Sequence, residues 1–207
     1  MHVGLVTIQG KKMSKSLGNF LTTDAFLKTY GPNVLRMVAL INHYRSPLDF
    51  TDEVAQSVKT SLSSIETFLV KTFFIEEKKI RPSVSLNTGP MTENFKERFD
   101  RAMEDDLNTP SAIAAIFEFM NEVYPMIWNL KPDEMATIRK PILYALDILG
   151  IRFSDSKTPR KVRELLEKRE LSRSNKQFIE SDALRKEISG LGYKVEDTPL
   201  GPLVIRE

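Results

Sequence analysis

Downstream of Thr51 the apolar residues fall at three- and four-residue steps: Val54, Val58, Leu62, Ile65 and Leu69. That period puts one apolar stripe on a long helix. Three further helices follow from the same pattern. Thr92 is expected to cap one carrying Phe95, Phe99 and Met103, and Pro110 to open another with Ile113, Ile116, Phe117, Met120, Val123 and Tyr124. Pro132 opens a third with Met135, Ile138, Ile142, Leu146 and Leu149, closed by Gly150. Short connections between amphipathic helices predict an antiparallel bundle whose Phe and Met stripes form the core.

The flanks carry other patterns. Val3 to Ile8 alternates as a short strand would, and Gly10 turns it into a loop. Thr23-Asp24 caps a short helix to Tyr30, after which Gly31 and Pro32 punctuate a second helix with Val34, Leu35, Val38 and Ile41. Residues 80–92, with two prolines and a glycine, read as a loop, and 153–159 as a linker. Beyond it lie a basic helix or helix pair to Ser189, then strands Tyr193–Glu196 and Leu203–Arg206 around Pro199-Leu-Gly. The expected fold is mainly α. A loop segment with a short strand (1–50) precedes the helical bundle (51–152), and a small α+β module (160–207) closes the chain.

Composition narrows the chemistry. The 207 residues hold no cysteine and only two histidines, His2 and His43, so neither a disulfide framework nor a metal site is expected in this chain. No apolar run is long enough for a bilayer and no signal-peptide pattern opens the sequence, which predicts a cytoplasmic protein without a membrane partner. The net charge of +2 is unevenly spread: residues 1–90 carry 11 basic against 7 acidic side chains, 91–155 carry 7 against 12, and 156–207 carry 12 against 9. Two basic ends flank an acidic middle, and basic segments favour phosphate-bearing partners.

The stretch Gly10-Lys-Lys-Met-Ser-Lys-Ser-Leu-Gly-Asn-Phe20 cannot build a core. Its lysines are flexible point charges that can follow a phosphate as charge develops, and its hydroxyls and N–H groups can join them around oxyanions. Cations that meet an anion chiefly in the transition state raise the rate rather than tighten substrate binding. That suits adenylate formation, in which pyrophosphate leaves with most of the negative charge. Lys12-Met-Ser-Lys-Ser16 also matches letter for letter the signature loop of class I aminoacyl-tRNA synthetases. Five fixed residues arise in a chain of this length roughly once in ten thousand cases, so a functionless surface loop is a poor account of them.

Four stretches in order resemble the cysteinyl-tRNA synthetases: residues 1–20, His43–Thr51, Met103–Ala112 and Phe178–Pro202, the last with Asp182-Ala-Leu-Arg185 reading as the family's anticodon-domain motif. The resemblance, which covers almost the whole chain, is to the C-terminal portion of the family. It implies ATP (with Mg) as substrate, bound by Lys12, Met13, Ser14, Lys15 and Ser16, with Lys12 and Lys15 catalytic. It implies cysteine tRNA as partner, residues 1–50 as the end of the catalytic domain, a tRNA-binding role for the helical bundle 51–152 and an anticodon-binding role for the C-terminal module 160–207. The family's HIGH-type loop and its zinc site lie upstream of the signature, so zinc is expected only in that upstream portion. Met1 matches an interior methionine of the family, so the start is expected to be a cut, with the upstream catalytic portion as a further partner. Adenylation by this chain alone is not expected.

Within the tail, Arg160, Lys161, Arg163, Lys168, Arg169, Arg173, Lys176, Arg185 and Lys186 suit a phosphate-tracking surface, with Glu196, Asp197 and the hairpin backbone as candidates for base edges. The tRNA-contact set is therefore Arg169, Arg173, Lys176, Arg185, Lys186 and Asp197. One departure from the family pattern is the ending Leu203-Val-Ile-Arg-Glu207, which lacks the tryptophan often found there. Two alternatives stay open: the related cysteine ligase of mycothiol synthesis, which has no anticodon domain, and a non-catalytic tRNA-binding module. Elsewhere His43-Tyr44-Arg45 reads as packing or tRNA-backbone contact, because no acid–base partner lies nearby in sequence. Asp105-Asp106 reads as capping or solvation, and Trp128 as packing.

Overall fold

A computed structural model describes residues 2–14, 20–78, 87–153 and 158–206. Strand β1 (Val6–Ile8) enters a two-residue turn and returns as β2 (Lys11–Lys12). Both turn residues are left-handed, Gln9 at φ 52° and Gly10 at φ 72°, the backbone that matches the twist of a tight hairpin. Asp49 holds the turn: its Oδ1 accepts from the Thr7 hydroxyl at 2.6 Å and from Gly10 N–H at 2.8 Å. The Thr7 bond first, and Gly10 second, hold its carboxyl below the usual range.

The strand expected over Val3–Ile8 is thus shorter, and two strands were not foreseen. Strand β3 (Leu48–Phe50) pairs parallel to β1, with Val6 opposite Leu48 and Ile8 opposite Phe50. Runs of two or three residues carry no readable alternation, and this pairing is non-local. Upstream of β1, Gly4 N–H donates to Tyr44 O at 2.7 Å. A Cβ on Gly4 would sit 1.9 Å from Ser46 O, so the backbones approach here as only glycine allows.

Helix α1 (Thr23–Tyr30) is capped by Thr22 rather than Thr23: the Thr22 hydroxyl accepts from Ala25 N at 3.1 Å. Gly31, at φ 81°, ends α1, and Pro32 opens α2 (Pro32–Leu40). Phe26 of α1 packs 5.0 Å, ring to ring, from Phe50, which ties the sheet to the helices. Helix α3 (Asp52–Glu77), capped by Thr51, is about 39 Å long at 1.5 Å per residue. It packs on α2 and on α6 (Pro132–Ile148), while α4 (Gly89–Glu104) packs on α5 (Thr109–Val123) and α6.

Details of the bundle differ from expectation at its ends. Gly89-Pro90 starts α4, so Thr92 lies inside the helix and its hydroxyl donates to Thr88 O at 2.7 Å. Asn108 caps α5 by accepting from Ser111 N at 3.2 Å. A 3-10 turn over Tyr124–Asn129 continues α5, and Pro141 sits within α6, where it cannot donate to the Thr137 carbonyl. Most of the stripes form the core, with Ile65, Leu69, Phe99, Ile116 and Met120 buried, while Val54, Met103, Phe117 and Tyr124 are half-buried at its edge. Phe68 and Phe119, outside the predicted stripes, are buried as well, and Trp128 is half-buried against the core.

The C-terminal module comprises α7 (Arg160–Ser174), α8 (Phe178–Gly190) and an antiparallel hairpin of β4 (Tyr193–Thr198) and β5 (Gly201–Arg206). Its own small core is Val162, Leu165, Ile188 and Val195. The strands run further than predicted, leaving only Pro199-Leu200 in the turn, with Gly201 at φ 107°. The fold is mainly α with a closing α+β module. Among the described residues no helix is long and apolar enough to cross a membrane.

Candidate functional site

Three places bring candidate residues together. At the first, β2 places Lys11 and Lys12 on successive strand positions, both exposed, so their side chains leave opposite faces. Lys12 pairs across the sheet with Thr7, and Met13 N–H reaches Val6 O at 3.4 Å, so the start of the signature is tethered rather than wholly loop. Met13 and Ser14 are half-buried. Lys15 and Ser16 lie outside the described residues. An open cavity beside the turn is lined by Ile8, Gln9, Phe20, Leu21 and Phe50.

At the second, Asp106 gathers the His43–Arg45 segment. Its Oδ1 accepts from Tyr44 Oη at 2.8 Å and from Arg45 Nη2 at 3.0 Å, and its backbone oxygen lies 3.1 Å from His43 Nε2. Arg45 Nε also donates to Tyr44 Oη at 2.8 Å, and the His43 and Tyr44 rings stack at 4.7 Å. Asp106 and Leu107 are both left-handed, at φ 50° and 56°, which turns the carboxylate back toward this segment. Solvation or capping is therefore not the work of Asp106; it latches the segment after α2 to the turn between α4 and α5. Thr109 adds a bond to Leu40 O at 2.7 Å. A sequence separation of about 60 residues hid the partner that His43-Tyr44-Arg45 lacked locally.

At the third, the basic tail divides into buried and exposed cations. Arg169 is 1% exposed. Its Nη1 and Nη2 each donate to an Asp197 carboxylate oxygen at 3.1 Å, and Nη1 also donates to Glu170 at 2.6 Å. Arg173 Nη1 reaches Asp197 Oδ2 at 2.8 Å. The Arg169 bonds first hold the Asp197 carboxyl below its usual range. Two expectations are corrected here: Arg169 does not face solvent, and the Asp197 oxygens are occupied by guanidinium donors instead of standing open to a base edge. Glu196 is also engaged, by Lys71 Nζ at 2.8 Å. A period of two along a strand says which face a carboxylate leaves, not what meets it.

Arg173, Lys176, Arg185 and Lys186 are exposed, as are Arg160, Lys161, Arg163 and Lys168. Arg185 also donates to Val195 O at 3.2 Å. Two exposed apolar side chains of the module were not singled out from the sequence: Phe178 at 63% exposure and Ile179 at 90%, in the first turn of α8, beside Lys176. Their signal was an apolar pair with no periodic partner in a polar helix. For zinc the residues do not fit: cysteine is absent, and no group of three metal-ligating side chains occurs among the described residues.

Comparison with known proteins gives the following. Residues 1–60 match the family model of the class I (C) tRNA synthetase catalytic domain, and residues 98–153 match the DALR domain. The DALR match thus falls on α4–α6, upstream of the tail that carries Asp182-Ala-Leu-Arg185. Cysteine–tRNA ligase of Caldicellulosiruptor saccharolyticus is 38% identical over 100% of this chain and 45% of its own length. Those of Thermococcus gammatolerans and Streptococcus pneumoniae are each 32% identical over 97% of this chain, and 45% and 41% of their own length. The chain therefore spans less than half the length of these curated relatives, matching their C-terminal part. A solved LeuRS–tRNA–LeuAMS ternary complex from Agrobacterium radiobacter is similar in fold, with a TM-score of 0.59 and 20% identity over 72% of this chain and 21% of that one.

Proposed function

This chain belongs to the cysteine–tRNA ligase family, and from that premise we propose that it supplies the signature loop for ATP and the tRNA-binding surface of such a ligase. In that reaction the cysteine carboxylate attacks the α-phosphorus of ATP, the bond to pyrophosphate breaks, and a ribose hydroxyl at the tRNA 3′ end then displaces AMP. Lys12 and Lys15, with Met13, Ser14 and Ser16, meet the departing pyrophosphate of magnesium-bound ATP. Lys12 starts from the tethered strand β2, which sets the base of the loop.

The observation that carries the tRNA half is the exposed face of the C-terminal module. Arg173, Lys176, Arg185 and Lys186 are exposed, as are Phe178 and Ile179, and Lys176 lines one open cavity with those two apolar side chains. Cations track phosphates without reading sequence, while an aromatic ring offers a stacking face to an unpaired base. Arg169 serves this face indirectly, by fixing Asp197 and with it the hairpin. A mycothiol-type ligase would have no use for such a module.

The test is titration of the chain with tRNA at rising salt. Affinity is expected to fall steeply, since several phosphates are neutralised, and charge reversal at Arg173 and Lys186 together should weaken all tRNAs alike by about tenfold. Binding insensitive to salt and to both reversals would remove the proposed face.

A further inference from the structure

Glu196 and Asp197 are neighbours on β4, so their side chains leave opposite faces of the two-stranded hairpin. Asp197 joins the hairpin to α7, within the module. Glu196 reaches the other way, to Lys71 of α3, in the bundle. Lys71 is only 12% exposed, and its ammonium lies 5.6 Å from the ring centroids of both Tyr124 and Trp128. A cation held over two rings and a carboxylate has few other places to go. Burial, and then the charge of Glu196, push the Tyr124 hydroxyl pKa up, in keeping with a carboxylate held close to that ring. Next along the chain, Leu200 in the hairpin turn packs against the bundle core, and a Cβ on Gly201 would lie 3.7 Å from Lys78 Nζ of α3. The module has a core separate from that of the bundle, and its hairpin is the part that docks on α3.

We infer that Lys71 is a positioning residue for tRNA: the Lys71–Glu196 pair sets the C-terminal module against the bundle so that the two basic ends of the chain engage one tRNA together. The inference rests on the proposed tRNA-binding function. The charge distribution supplies the reason for such a device. Residues 91–155 carry 12 acidic against 7 basic side chains, whereas residues 1–90 and 156–207 each carry a basic excess, so the pull on a polyanion is strongest toward the two ends. A ligand that touches both ends gains from a fixed spacing, because the second contact forms at high effective concentration only when the geometry is held. Neither Lys71 nor Glu196 needs to touch RNA for this.

The experiment compares two RNAs on the 207-residue chain: complete cysteine tRNA, and an RNA hairpin comprising its anticodon arm alone. Lys71→Met keeps the aromatic packing without the charge, and Glu196→Gln removes the charge from a half-exposed side chain at nearly constant shape. Each is expected to weaken complete tRNA by about tenfold and to leave the anticodon arm within about twofold of wild type. Lys71→Arg should restore complete tRNA to within about twofold. The double variant Lys71→Met/Glu196→Gln should be no weaker than either single one, since both remove the same contact. Equal weakening of both RNAs, or no weakening of either, would overturn the inference while leaving tRNA binding standing. A wild-type chain that binds neither RNA would overturn the functional reading first and this inference with it.

Discussion

Lys15→Ala, introduced into a complete ligase carrying this sequence, is expected to slow ATP–pyrophosphate exchange by about a hundredfold or more while cysteine binding changes little. The reason lies in when the interaction forms. Negative charge accumulates on pyrophosphate as its bond to the α-phosphorus lengthens, so a lysine that meets it then lowers the barrier without deepening the ground state. Lys12→Ala should act in the same direction and less strongly; Lys12 sits on β2, in register with Thr7. The measurement is the exchange rate at saturating ATP beside a cysteine binding titration. A Lys15→Ala rate within about threefold of wild type would leave the loop without its assigned role.

Asp197→Asn is expected to loosen the C-terminal module while the bundle stays intact. It removes the two-oxygen partner of Arg169, whose side chain is 2% exposed and cannot turn to water, leaving the buried guanidinium with Glu170 alone. Removing one partner of a fully buried pair costs about 3–5 kcal/mol; with Asp197 itself 45% exposed, about 2 kcal/mol is expected here. Hydrogen exchange should accelerate at amides of α7, β4 and β5, and not at those of α3 to α6. The pH dependence has a fixed sign. The folded carboxyl titrates below its unfolded value, so its stabilisation is present above about pH 4 and is lost as the pH falls toward the folded value. Protection that falls with acid in wild type and not in Asp197→Asn is the expected result; unchanged exchange in the variant would contradict the assignment.

The bundle was legible because burial writes itself into sequence at a period of 3.6: Val58, Leu62, Ile65 and Leu69 are all buried on the stripe they predict. The Gly31-Pro32 break was legible for the same local reason, since a left-handed residue followed by a fixed φ leaves a mark in residue type. What stayed hidden depends on distant partners. The parallel pairing of β1 with β3 rests on three residues a side and about 40 residues of separation. Asp106 looked like a solvated carboxylate because Tyr44 and Arg45 are far from it in sequence. Arg169 looked like its neighbours Lys168 and Arg173, and only the tertiary packing of α7 on α8, with the Arg169 bonds to Asp197 of β4, separates a buried guanidinium from exposed ones. Charge type is local; charge burial is not.

Recognition of cysteine tRNA by this chain is measured most directly by its affinity for that tRNA and for a version with a swapped anticodon, at low and at moderate salt. At low salt both should bind, held largely through phosphates. At moderate salt the cognate tRNA should bind at least about tenfold more tightly, because base contacts persist where counterion release fades. Equal affinities at moderate salt, or no binding of either tRNA at low salt, would contradict the account.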